Sequence, residues 1–315
     1  MKNRCCSISR FSPTQQQNTL LQSISKPDRR KRQNNPLILL YNQQLCFTRY
    51  PDMKKISILL SLILLSSLLA MAHEFWLEPQ KFLLTVGEKL HLKIFVGEGF
   101  MGEEIDFSRF KVAKYTHYTP DGEKNTNGSL NEQQLNDFLK FDTEGNHLIA
   151  LNNTNKHIEL EADKFNDYLK EEGLDNVLAW RKDHNALDKK GREMYQRCVK
   201  TLLQVGNKHN EIYRRNTGMR LELIPQQNPY TATESLTFQV LFDNKPVENA
   251  LVLIWQKGIE KPGVRKLRTD KSGKVTFSFE QKGIFMISTV YMIPHTNPEE
   301  ADWQSYWGSY TFGFK

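Results

Sequence analysis

The sequence predicts a mainly β protein: antiparallel β-sandwich modules with a helical insertion between them. Three observations carry this. Apolar and polar residues alternate over 90–96, the period lengthens to that of a helix between about 162 and 205, and from about 219 short strand-like runs recur between turn signals. The chain has 315 residues, of which 39% are hydrophobic and 25% charged, a balance that excludes collagen, low-complexity disorder and a small disulfide scaffold.

The leading segment reads differently from the rest. Residues 1–72 carry a net charge of +9 and residues 73–315 a net of −2, so the basic character belongs to the leader. With the leader removed the chain has no electrostatic attraction for a polyanion, and no nucleic-acid partner is expected. Met53-Lys54-Lys55 opens a basic region, residues 56–69 form an apolar core, and Ala70-Met71-Ala72 supplies small residues for cleavage. This is the pattern of a secretory signal peptide, too short and too well terminated for a membrane span. Residues 53–72 are therefore expected to be a cleaved signal, the mature protein periplasmic and without a membrane span. Residues 1–52 are expected to be an upstream start or a disordered extension. Cys5, Cys6 and Cys46 lie in the leader, so the mature chain keeps only Cys198 and has to be held by its core rather than by an internal disulfide.

Within the mature chain, residues 73–161 read as an N-terminal β domain. Leu90, Leu92, Ile94 and Val96 alternate with His91, Lys93 and Phe95 between glycine turns. Residues 147–151 and 158–160 are further strand candidates. Residues 162–215 read as the helical insertion. Phe165, Tyr168 and Leu169 share a face of a first helix stopped by Gly173, and residues 174–182 make a second. Asp188 is placed to cap a third, with Tyr195, Val199 and Leu202 at i, i+4 and i+7. Lys170-Glu171-Glu172 and Lys189-Lys190 read as solvated faces. Residues 216–315 read as a sandwich of about seven strands, the size of an immunoglobulin- or transthyretin-like module.

The strongest chemical feature is the predicted cleavage point. Cutting behind Ala72 makes His73 the first residue, offering its α-amine and Nδ1 in one chelate ring, a donor set that suits Cu(II), Ni(II) or Zn(II). A third ligand is not given by local spacing, because no H-x-x-x-H or C-x-x-C pair exists. His295, beside Glu299, Glu300 and Asp302 past a strand end, is the best partner among the other histidines. His117 reads as an exposed strand residue, and His147 and His157 flank polar loops. Glu98, with Glu103 and Glu104, is a candidate ligand or a solvated loop. Trp76, Trp303 and Trp307 with Tyr306 and Tyr310 are either core or a sugar-stacking platform. No G-x-S-x-G, P-loop or G-x-G-x-x-G occurs, so no catalytic residues and no enzyme activity are expected.

The run His73-Glu74-Phe75-Trp76-Leu77-Glu78-Pro79 behind the signal resembles the start of an exported domain of unknown function, family 4198. Similar stretches are Val96-Gly97-Glu98-Gly99-Phe100, Tyr168-Leu169-Lys170-Glu171-Glu172-Gly173-Leu174, Arg192-Glu193-Met194-Tyr195-Gln196-Arg197 and Leu221-Glu222-Leu223-Ile224-Pro225 with Asn228-Pro229-Tyr230, and the closing Ala301-Asp302-Trp303-Gln304-Ser305-Tyr306-Trp307. The resemblance implies a periplasmic protein connected with nickel uptake or with nickel and cobalt transport. His73 matches the family. Where relatives carry a His ahead of a Met-Ile-Pro segment, this chain has Tyr291, and His295 follows four residues later. Together these readings make an exported, non-catalytic protein that handles a transition metal ion, Ni or Cu, with His73, His295 and Glu98 as ligands and a membrane transporter or outer-membrane protein as partner. Two other readings stand beside it: an immunoglobulin-like accessory module for a protein or glycan, and a copper oxidoreductase with an amino-terminal histidine chelate.

Overall fold

A computed structural model describes residues 74–107, 111–127 and 139–315; the leader, the signal segment and His73 lie outside the described residues. The architecture is mainly β. A ten-stranded sheet forms the middle layer, and its strands run in the order Gly263–Arg268, Leu251–Lys257, Ile284–Pro294, Trp303–Gly313, Gly191–Val205, Gly145–Asn153, Val112–Thr119, Gly122–Asn127. Lys156–Leu160 and Leu83–Leu84 also pair with Gly191–Val205.

Both faces of this sheet are covered. A four-stranded sheet, built on Leu221–Pro225, Ser235–Phe242 and Lys274–Ser278, closes one face over a core of Phe238, Phe285, Tyr310 and Phe312. On the other face lies a three-stranded sheet of Glu74–Pro79, Leu92–Glu98 and Met101–Ile105, packed through Leu77 and Ile94 onto Ile149, Val199 and Leu203. Beside it sit two helices, α1 (Ala162–Glu171) and α2 (Asp175–Asp183). Among the described residues no helix is long and apolar enough to cross a membrane.

The expected strands of the C-terminal module are present and form a sandwich. Its sheet does not stop at the module boundary, because Trp303–Gly313 pairs in parallel with Gly191–Val205, Glu193 standing opposite Trp303. The first two helices also form as expected. Phe165, Tyr168 and Leu169 are buried, and Gly173 ends α1 in the left-handed region at φ 65°, where glycine has no Cβ penalty.

The third helix does not exist. Residues 191–205 are instead the longest strand of the central sheet, hydrogen-bonded to Trp303–Gly313 and Gly145–Asn153. The physical reason is burial on both faces. Cys198 and Leu202 point to one core while Val199 and Leu203 point to the other, so the apolar residues fill both faces and no period-two alternation remains. Lys200 and Arg197 on the same strand are buried as well.

Candidate functional site

The strand Glu74–Pro79 is tied down at both ends of its partner chain. Its residues pair with Leu92–Glu98, and its main chain is also held from the central sheet: Ser309 donates to the Phe75 carbonyl at 2.7 Å and Thr311 to the Leu77 carbonyl at 2.6 Å. This pinning carries Glu74 inward. The residue is only 8% exposed, and its Oε2 is fully buried without a hydrogen-bond partner. Its carboxylate lines a narrow cleft with Glu172, Arg197, Ser288, Thr289 and Trp307, with room for about one water molecule.

Burial sets the proton affinity here. Desolvation pushes the Glu74 carboxyl up to about 7, with the charge of Glu98 adding to the rise. Glu172, just past the end of α1, is pushed up to about 8, first by burial and then by the charge on Glu74. Arg197 reaches the cleft from Gly191–Val205 and is boxed by aromatic rings, its guanidinium 4.7 Å from Trp307 and 5.5 Å from Phe75 and from Tyr195. A second small cavity lies on the other side of Arg197, lined by Tyr168, Glu193, Tyr195 and Trp307. Glu193 accepts from Ser305 and from Tyr168, and burial lifts its carboxyl to about 7.

These three carboxyls hold protons in the folded chain that the unfolded chain releases at ordinary carboxylate pH. The folded state therefore binds more protons between about pH 4.5 and 8, and their stability contribution is lost as pH rises through that window. Denaturant melts at pH 5 and pH 8 are expected to show this fall, and Glu172→Gln, neutral at every pH, should flatten it. An unchanged slope in that variant would contradict the assignment.

The residues expected to bind metal divide as follows. His73 lies outside the described residues. Glu98 ends its strand exposed, opposite Met101 across a tight turn whose Gly99 and Phe100 both have positive φ, and it is close enough to Glu74 for its charge to act there. Glu103 is exposed, and Glu104 pairs with Lys93 at 2.5 Å. His295 is half-buried, and its Nδ1 lies 2.9 Å from the Asn297 carbonyl oxygen and 3.2 Å from the Asn297 backbone nitrogen. It stands five residues beyond Val290 of the cleft, roughly 17 Å along an extended strand. The structure brings Glu98 toward Glu74 and leaves His295 apart. Among the described residues no three His, Cys, Asp or Glu side chains converge as a metal group.

Two other expectations are corrected. His117 and His147, read as surface residues, are 0% and 1% exposed. They share a hydrogen bond of 3.0 Å between His117 Nε2 and His147 Nδ1, against the ring of Phe141. His147 Nε2 meets the Thr143 carbonyl at 2.9 Å, which can only accept, so the neutral His147 ring accepts from His117; burial accordingly lowers the His147 pKa. Glu172, read as solvated, is drawn into the cleft while its neighbours Lys170 and Glu171 stay exposed. Trp76, Trp303, Trp307, Tyr306 and Tyr310 are all buried in cores, so they make no sugar platform. Glu172, Glu193 and Arg197 were not expected as site residues from the sequence, although Glu172 lies in the family-like stretch 168–174 at the glycine stop of α1, and Glu193 and Arg197 lie in the family-like stretch 192–197.

Comparison with other proteins fits the architecture only at family level. No curated protein matches the chain. Among solved structures, the trypsin-activated alpha-2-macroglobulin of Escherichia coli is similar at 10% identity and a TM-score of 0.17, covering 76% of this chain and 15% of that one. The native conformation of the same E. coli protein, from single-particle cryo-electron microscopy, gives 10% identity and a TM-score of 0.17 over 76% of this chain and 14% of that one. The chain thus spans about 15% of the length of the structures it matches. The family model described as Domain of unknown function (DUF4198) matches residues 70–293, which is most of the chain, and the protein belongs to that family.

Proposed function

We propose that this is an exported, periplasmic protein that binds a transition metal ion, Ni or Cu, through His73 once the signal is cleaved behind Ala72, and that passes the ion to a membrane transporter or outer-membrane partner without catalysis. The observation that supports this most is the carboxylate one residue on from His73. Glu74 is buried with one oxygen unpartnered, and Glu98 is close enough to act on it. Cleavage behind Ala72 would join an α-amine and an imidazole to that position, adding nitrogen donors next to the carboxyl oxygens of Glu74, which would have to give up a proton to bind a cation. Nitrogen with carboxylate oxygen suits Ni(II) and Cu(II).

Binding has to release protons, so affinity falls as pH drops through the amine and imidazole values, about 8 and 6.5. Mass spectrometry of the exported protein is expected to find His73 as the first residue. Calorimetry with Ni(II) or Cu(II) is then expected to give at least tenfold weaker binding when one residue is added before His73, since the amine leaves chelating position while the imidazole stays. Equal affinity for both forms would sink the reading and favour the accessory module for a protein or glycan.

A further inference from the structure

We propose that the hydrogen-bonded pair His117–His147 is an acid-operated latch: the sheet end it closes has room for one added proton, and a second proton opens it. The latch joins Val112–Thr119 to Gly145–Asn153 and uses no part of the terminal chelate, so either can fail without the other.

The geometry sets the limit. His147 Nε2 keeps its hydrogen on the Thr143 carbonyl at 2.9 Å, and His147 Nδ1 accepts from His117 Nε2 at 3.0 Å. Both hydrogens of the neutral pair are thereby placed, and a first added proton enters at His117 Nδ1 without breaking the contact. A second would have to enter at His147 Nδ1, and two N–H groups would then face each other at 3.0 Å. It would also set two cations with ring centroids 5.2 Å apart, in a site where the rings are 0% and 1% exposed. Two opened histidines each take a proton below about pH 6.5, so the closed form binds at least one fewer there. Its stability is therefore present above that pH and lost in acid, the opening constant rising about tenfold per pH unit.

The neighbours do not relieve this. Phe141, from the pairing of Glu88–Lys89 with Lys140–Phe141, has its ring centroid 5.2 Å from His117 and 5.1 Å from His147. In that pairing Glu88 is taken up by Lys81 and Thr85, and Lys140 by Asp142. Leu203 stands opposite His147 and Ile149 opposite His117, both apolar, and Tyr115 is a phenol that burial keeps protonated. An open groove reaches His147 past Asp121, Glu123, Lys124, Lys140 and Asp142, which gives protons a path to the ring. Burial lowers the His147 pKa, outweighing the Thr143 carbonyl and Asp121, which raise it, and Lys124 lowers it further. The place in the sheet keeps opening local. Val112–Thr119 and Gly122–Asn127 are the last two strands of the ten-stranded order, and among the described residues they join it only through Gly145–Asn153.

The test is amide hydrogen exchange of the exported protein by NMR, corrected for the intrinsic pH dependence of exchange. Protection in Val112–Thr119 and Gly145–Asn153 is expected to fall about thirtyfold between pH 7.5 and pH 5, leaving Ile284–Pro294 better protected. Over the same range the imidazole nitrogen shifts should show the closed pair taking up no more than one proton. His147→Gln should cut the fall to less than about threefold, because the glutamine oxygen accepts from His117 Nε2 while Nδ1 of that ring takes its proton. His157→Gln, which changes an exposed histidine, should leave the thirtyfold fall in place. Protection that does not fall in the parent, two protons taken up by a pair that stays closed, or an undiminished fall in His147→Gln overturns the proposal. If His147→Gln fails to fold, the two measurements on the parent decide it.

Discussion

Lys200→Met is expected to lower stability by about 3–5 kcal/mol, because it strands a buried carboxylate. Lys200 and Glu222 are 2% and 1% exposed and form an ion pair between the central sheet and the four-stranded sheet. Every polar atom there is in use. Lys200 also reaches the Arg215 and Leu223 carbonyls, both at 3.4 Å. Glu222 Oε1 accepts from the Thr217 N–H at 2.8 Å, its hydroxyl at 2.8 Å and the Met219 N–H at 3.0 Å. Removing both charges, as Lys200→Met with Glu222→Leu, should recover part of the loss. It should not recover all of it, because the Thr217 and Met219 donors then lose their acceptor, at about 1–3 kcal/mol for a buried unpaired group. Urea denaturation of the parent and these two variants checks this. A loss below about 1 kcal/mol for Lys200→Met would mean the pair behaves as a surface salt bridge.

The second large effect is at the docking of α1. Phe165 is fully buried, covered by the Arg181 guanidinium at 4.8 Å from its ring, and packed directly over Gly191. Phe165→Ala is expected to cost about 3–5 kcal/mol as a core truncation. Gly191→Ala should cost about 1–3 kcal/mol, because a Cβ there would run into the fully buried Phe165 ring. The informative case is the double variant. The methyl group enters room the ring has left, so the two losses should fall short of additivity by at least about 0.5 kcal/mol. Strict additivity in a denaturant series would show that the two residues do not meet. Gly191→Ala should also displace α1, which ends just before Glu172, and so disturb the cleft from a distance.

Much of this architecture was legible because most strands are half-buried. Leu236, Phe238 and Val240 alternate with polar neighbours, and the strand Ser235–Phe242 shows the same alternation in burial. The reading failed where the sheet is covered on both sides. In Gly191–Val205 the inward directions are two, so the spacing of Tyr195, Val199 and Leu202 matched a helix stripe, and nothing in that spacing marked Arg197 and Lys200 as the buried cations of two separate polar clusters. The same limit hid His117 and His147, whose contact depends on the pairing of Val112–Thr119 with Gly145–Asn153. The cleft was illegible for a related reason. Glu74 opens one strand, Glu172 follows a helix and Arg197 lies within another strand, so only tertiary packing brings them to one wall. No local spacing encodes that.

The parallel rung at the middle of the sheet has a consequence in time. Arg192 and Asp302 touch across 110 residues of chain, and Trp303–Gly313 is the strand that joins the Ile284–Pro294 side of the sheet to Gly191–Val205. As the polypeptide is synthesised, Gly191–Val205 emerges long before its parallel neighbour and has to wait with one hydrogen-bonding edge open. Contacts this distant along the chain make folding slow, and the two flanking cores cannot be locked to each other until residues 303–313 arrive. A nascent chain built this way stays loose until its central strand is made, which is the condition in which a polypeptide can be threaded through a narrow pore before it folds.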